Sequence, residues 1–121
     1  MSKESLIRNR AKSVKFAFKG LWILICTERS IQIQLAIACI VTCFGFYWTI
    51  EPHEWMMQLL AIGLVMGLEG VNTAIEKLAD FVQPHNDAKI GLLKDVSAGA
   101  VMLGSIVASI VGLIIYLPRW I

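Results

Sequence analysis

Charge is scarce in this chain: Asp, Glu, Lys and Arg together make up 17% of its 121 residues. That excludes a disordered or heavily solvated protein. Sustained alternation of apolar and polar residues is also missing, which argues against a transmembrane barrel. The three cysteines, Cys26, Cys39 and Cys43, have neither the even number nor the paired spacing of a disulfide frame or a CxxC metal site, and are expected to stay reduced. There is no GxxxxGKS/T phosphate loop, no HRD or DFG set, no GxSxG elbow and no HExxH, so the common soluble nucleotide and hydrolase machinery is absent. No small-residue cleavage site follows an apolar core near Met1, so a removable signal peptide is not expected. A net charge of +2 is too small to point to nucleic acid.

What is present is apolar bulk. Hydrophobic residues make up 57% of the chain, and the mean hydropathy is +0.69. Three apolar runs, approximately residues 31–50, 55–75 and 96–117, each approach the ~20 residues that span a bilayer as a helix. Helix is required because backbone groups in hydrocarbon must be bonded within their own segment. The predicted fold is therefore all-α and membrane-embedded, with three transmembrane helices in a single domain over residues 1–121. Of the eleven Lys and Arg residues, Arg119 alone falls beyond the last span on the side shared with the 51–54 connection. The positive-inside rule then predicts an N-in, C-out chain whose 77–95 connection is cytoplasmic.

Residues 1–28 read differently. At 100° per residue, Arg8, Lys12, Lys15 and Lys19 fall in one narrow arc, while Leu6, Ile7, Val14, Ala17, Phe18, Leu21 and Ile25 fill the opposite side. This predicts an amphipathic surface helix, with its basic stripe toward anionic headgroups or a polyphosphate. In the third span, Ala100, Gly104, Ala108 and Gly112 form a ladder of small residues suited to close helix packing, and Gly63 and Gly67 offer a similar surface on the second. Three short helices have little interior in which to hide charge, so intramembrane carboxylates would favour an oligomer.

The chemistry is concentrated in one stripe. Glu69, Asn72, Glu76 and Asp80, at i, i+3, i+7 and i+11, fall within about 60° of one another on a helix. Glu69 lies about 22 Å along the helix from Glu54, just inside the predicted cytoplasmic interface. A carboxylate at such a depth costs on the order of 2.5–3.5 kcal/mol and is by default functional. Carboxylates and an amide on one stripe suit divalent metal binding or proton handling. Mg²⁺ takes oxygen ligands, often one or two carboxylates with phosphates and waters, and Glu76 fits that role. Glu69 is about 10 Å further along, too far to share the ion, which suggests a proton acceptor there. Glu28, where the surface helix meets the first span, could bring a second carboxylate. Lys94 and Asp95 precede the third span, after a connection holding His85, Asp87 and Lys89; a helix N-terminus beside a lysine suits phosphate, and Asp95 could instead cap that helix. His85 alone reads as a surface histidine. A proton or cation pathway through Glu69 and Glu76, and a non-catalytic scaffold, stay open on these grounds.

The run Glu69-Gly70-Val71-Asn72-Thr73-Ala74-Ile75-Glu76, with Asp80 and Lys94-Asp95-Val96-Ser97-Ala98-Gly99-Ala100-Val101, resembles the prokaryotic diacylglycerol kinase family, which includes the undecaprenol kinases. Lys19-Gly20-Leu21, Glu28 and the three spans extend the resemblance over nearly the whole chain. The resemblance implies a homotrimeric inner-membrane lipid kinase that uses Mg-ATP to phosphorylate the hydroxyl of diacylglycerol or undecaprenol. It further implies that Glu69 is the general base, that Asn72 holds the reacting groups, and that Glu28 and Glu76 bind Mg²⁺. Lys94 and Asp95 would contact the nucleotide, and Lys12, Phe16, Lys19, Asp80, His85 and Asp87 complete the candidate nucleotide-side set. Phe16 stands where the proteobacterial diacylglycerol kinases have tyrosine, and Asn9 where they have arginine. The Asn72–Glu76 and Ser97–Val101 runs look more like the undecaprenol-kinase branch, in which Thr73 and Gly99 are usual.

Overall fold

The computed structural model describes residues 2–121, which form four helices and no strand among the described residues. They are α1 (Lys3–Thr27), α2 (Arg29–Trp48), α3 (Pro52–Val82) and α4 (Ala88–Trp120). The last three are long and apolar enough to cross a membrane. Each local signal has a visible cause. Ser2 caps α1 by accepting the Ser5 N–H. Pro52 opens α3, where its missing N–H is harmless. The Glu54 carboxylate accepts the Glu51 N–H at 3.0 Å, which satisfies a donor at the start of the same helix.

The joints are short. Between α1 and α2 a single extended residue, Glu28 (φ −101°, ψ 113°), breaks the helix, and Gln32 Nε2 donates back to the Ile25 and Cys26 carbonyls at 3.0 and 3.2 Å. Carbonyls freed at the end of α1 thus keep a partner. Between α2 and α3, Thr49 adopts a left-handed conformation (φ 50°) unusual for a β-branched residue, and the Ile50 N–H closes on the Gly45 carbonyl at 3.1 Å. Gly45 is needed there: a Cβ would come within 2.6 Å of the Trp55 ring.

The third joint corrects the sequence reading. The polar stretch 77–95 is mostly helix, because α3 continues to Val82 and α4 begins at Ala88, leaving only residues 83–87 between them. Asp87 caps α4 by accepting the Lys89 and Ile90 N–H groups at 2.9 and 3.2 Å. Asp95 is therefore not a cap. Lys94 and Asp95 stand two turns inside α4, away from the free N–H groups of its first turn. Apolarity marks where a helix enters lipid, whereas caps mark where it ends, and here the two differ by two turns.

Antiparallel packing of α3 on α4 makes up most of the tertiary structure, joined from end to end by Lys94–Asp80, Ser97–Asn72, Tyr116–Gln58 and Arg119–Glu54 contacts. Of the small residues, Gly104 meets the expectation of close packing: a Cβ there would sit 2.7 Å from Leu68 Cδ1. Gly63, Gly67 and Gly112 face open space within the chain. Few side chains are buried, chiefly Ile31, Ile50 and Ile115, while Phe46, Leu60 and many others stay largely exposed. An apolar surface of this extent is that of a protein in lipid rather than water. Cys26, Cys39 and Cys43 are free and exposed.

Candidate active site

The stripe on α3 meets α4 and the α1–α2 joint. Asn72 is at its centre, buried at 7% exposure. Its Oδ1 accepts the Ser97 hydroxyl at 2.7 Å, and its Nδ2 donates to Glu76 Oε1 at 3.3 Å. One turn beyond Glu76, Asp80 is ion-paired with Lys94. On the other flank, Lys77 Nζ lies 3.5 Å from Glu28 Oε1, and the Glu28 side chain is three-quarters buried. Gly70 lets α1 approach, since a Cβ on it would be 3.1 Å from Leu24 Cδ1. These contacts draw Glu28 toward the helix that carries Glu69, Asn72, Glu76 and Asp80.

Glu69 differs from its neighbours on the stripe. It is half-buried, and no described residue donates a hydrogen bond to its carboxylate or pairs with it. An unengaged carboxylate in a sheltered position is chemically suited to accept a proton from an incoming hydroxyl. Three residues away along the helix, Met66 lines a cavity of about 310 Å³ between α2, α3 and α4 that reaches Gln58 and Ile115. Its walls are mainly apolar, and the one buried side-chain oxygen without a partner among the described residues, Gln34 Oε1, belongs to a residue of that wall.

The remaining candidates are less assembled. Lys12, Phe16 and Lys19 are exposed on α1 and make no hydrogen bond, ion pair or ring contact with the described residues. His85 is exposed between α3 and α4, its backbone N–H donating to Gln83 Oε1. Asp87 is engaged in capping, and Asp95 is exposed. Among the described residues, the one group of three or more His, Cys, Asp or Glu side chains close enough to share an ion is Glu51, His53 and Glu54, at the opposite end of α3. There Glu54 is already held by Arg119 through two bonds, of 2.6 and 2.8 Å, and the group is accounted for by ion pairing and capping.

Two side chains escaped the sequence reading. Ser97 lies within the Lys94–Val101 run, and its position three residues after Lys94, on the same helix face, is the signal the sequence offers. Lys77 directly follows Glu76, but only the fold brings it to Glu28.

Residues 15–116 match the family described as prokaryotic diacylglycerol kinase. The undecaprenol kinase of Bacillus subtilis (strain 168) is 38% identical over 108 residues, covering 89% of this chain and 88% of the relative. The diacylglycerol kinase of Synechocystis sp. is 34% identical over 113 residues, 91% of this chain but 63% of the longer relative. The diacylglycerol kinase of Haemophilus influenzae is 24% identical over 111 residues, 92% of this chain and 94% of the relative.

Proposed function

The chain belongs to the prokaryotic diacylglycerol kinase family and is a membrane lipid kinase, and we propose that it phosphorylates undecaprenol in preference to diacylglycerol, with Glu69 as the general base. The observation that carries the site assignment is the free, half-buried Glu69 carboxylate beside a relay in which Asn72 holds Glu76. A lipid hydroxyl anchored by its own tail meets Glu69, while the tail runs into the cavity that begins at Met66. Glu69 takes the hydroxyl proton as the oxygen attacks the γ-phosphorus, the bond from that phosphorus to the β,γ-bridging oxygen breaks, and ADP leaves with the lipid phosphate formed. Phosphoryl transfer asks mainly for positioning and neutralisation of charge, which a small helical site supplies without a nucleotide-binding domain.

Glu76 and Glu28 would hold Mg²⁺. The donors fit a hard cation: all are carboxylate oxygens, and Glu76 is exposed on the side where nucleotide arrives and retains free lone pairs after accepting from Asn72. When bound, the ion offsets the phosphate charge. Lys94, Asp95 and Asp80 contact the nucleotide, with Lys12, Phe16, Lys19, His85 and Asp87 reaching it from α1 and from the α3–α4 joint. Lys94 would exchange Asp80 for phosphate oxygens on binding, and Asp87 keeps its cap. Exposure of the α1 cations supports their availability to phosphate.

The enzyme is read as a homotrimer of the inner membrane, N-in and C-out, with α1 on the cytoplasmic surface and active sites facing the cytoplasm. The distribution of Lys and Arg supports the orientation. The unfilled faces at Gly63 and Gly67 support assembly. Acceptor preference is tested by following labelled γ-phosphate from Mg-ATP to undecaprenol and to diacylglycerol, separately and in competition. Faster transfer to undecaprenol is expected; preference for diacylglycerol overturns the acceptor assignment, and transfer to neither overturns the reading of the site.

A further inference from the structure

We infer that Ser97 is a positioning residue for the metal-binding carboxylate, acting through the Asn72 amide. The inference rests on the reading of Glu76 as a Mg²⁺ ligand. Ser97 donates to Asn72 Oδ1 at 2.7 Å across the α3–α4 interface, and the same amide donates to Glu76 Oε1 at 3.3 Å. An amide is planar, with its oxygen and nitrogen on opposite sides of one carbon, so fixing the oxygen fixes the nitrogen. The terminal torsion of asparagine is otherwise broad and roughly two-fold. Turned over, the amide would aim its carbonyl at the Glu76 carboxylate, acceptor against acceptor. The acceptor-only Glu76 carboxylate thus favours the orientation shown, and the Ser97 hydroxyl, which can donate or accept, holds the amide in it by donating to Oδ1.

Burial makes this donor matter. Asn72 is 7% exposed, so water is a poor substitute for the missing donor, whereas Glu76 is exposed and has no other hydrogen-bond or ion-pair partner among the described residues to hold it. Remove the hydroxyl, and the amide that holds one Glu76 oxygen while leaving the other free to bind loses its anchor on α4. Lys94 lies three residues before Ser97 and pairs with Asp80, so two neighbouring side chains of α4 grip the stripe on either side of Glu76. Ser97 itself touches neither the ion nor the reacting atoms in this arrangement.

The test uses the full-length protein in detergent and Mn²⁺ as the probe, because it shares the preference of Mg²⁺ for oxygen ligands and is visible by electron paramagnetic resonance. Mn²⁺ binding is titrated with a non-hydrolysable ATP analogue present, in the wild type, Ser97→Ala, Ser97→Thr and Glu76→Gln. Ser97→Ala removes one oxygen and introduces a better helix former, so the fold is retained. Its Mn²⁺ affinity is expected to fall about tenfold, the scale of losing a hydrogen-bond partner of a metal ligand. Ser97→Thr, which keeps the hydroxyl, is expected to restore binding. A purely structural hydrogen bond would lower thermal stability and leave Mn²⁺ affinity unchanged; that result, with Glu76→Gln still abolishing binding, overturns the inference alone. If Glu76→Gln binds Mn²⁺ like the wild type, the metal assignment itself fails.

Discussion

The Lys77 ammonium lies 3.5 Å from the Glu28 carboxylate, joining the helix that carries Glu69, Asn72 and Glu76 to the one-residue break between α1 and α2. This pair places a candidate metal-binding acid, Glu28, under the influence of a cation that is itself 69% exposed. An ion pair with one open partner in a salt-screened setting is worth about 0.2–1 kcal/mol. Lys77→Met should therefore leave thermal unfolding nearly unchanged. Its effect should appear in metal handling: with its cation gone, Glu28 is expected to bind Mn²⁺ more tightly. An unchanged Mn²⁺ titration of Lys77→Met would separate Glu28 from the ion.

Glu69 is the residue whose removal should act on chemistry alone. It has no hydrogen-bond or ion-pair partner to lose among the described residues, so Glu69→Gln leaves the packing of α3 intact. Losing a general base lowers transfer by about 10²–10⁴-fold. Labelled-phosphate transfer measured beside nucleotide binding should show the first collapse and the second persist. Full activity in Glu69→Gln would remove it as the base.

How much of this was visible in the sequence differs from residue to residue. The three spans were legible because bilayer thickness fixes the length of an apolar helix, and the Glu69–Asp80 stripe because helical geometry fixes which residues share a face. The ends of α3 and α4 were not, because polar residues such as Asp80 and Lys89 continue a helix past the lipid boundary without an apolar signal. Asp95 could cap a helix on sequence grounds, but backbone geometry gives that role to Asp87. Ser97–Asn72 and Lys77–Glu28 are contacts between helices, and single-helix periodicity carries no information about the rotation of one helix against another.

At the far end of α3, Arg119 grips Glu54 through both guanidinium nitrogens, at 2.8 and 2.6 Å, and also donates to the Ile115 carbonyl. Bidentate geometry of this kind is the strong form of the contact. Removing either partner strands the other, so Arg119→Met and Glu54→Gln should each lower the unfolding temperature. The double variant should lose less than the two single losses together. None of the three should change the ratio of activity with undecaprenol to that with diacylglycerol, since the pair is remote from the stripe. Additive losses in the melting experiment would show that the two side chains stabilise the fold independently.

The glycines separate packing within a chain from packing between chains. A side chain at Gly104 runs into Leu68 on α3, so Gly104→Leu should force the α3–α4 interface apart and destabilise the protomer by about 1–3 kcal/mol. Gly67 faces open space in the protomer, where an added Cβ meets nothing within 4 Å. If the proposed trimer forms with helix faces of neighbouring protomers closing on that surface, Gly67→Leu should leave helical content and protomer stability intact while shifting the detergent-solubilised enzyme to smaller species than the wild type in size-exclusion chromatography with light scattering. A Gly67→Leu protein that elutes like the wild type would move the contact to another face, and Gly63, four residues earlier on the same stripe, would be removed with it.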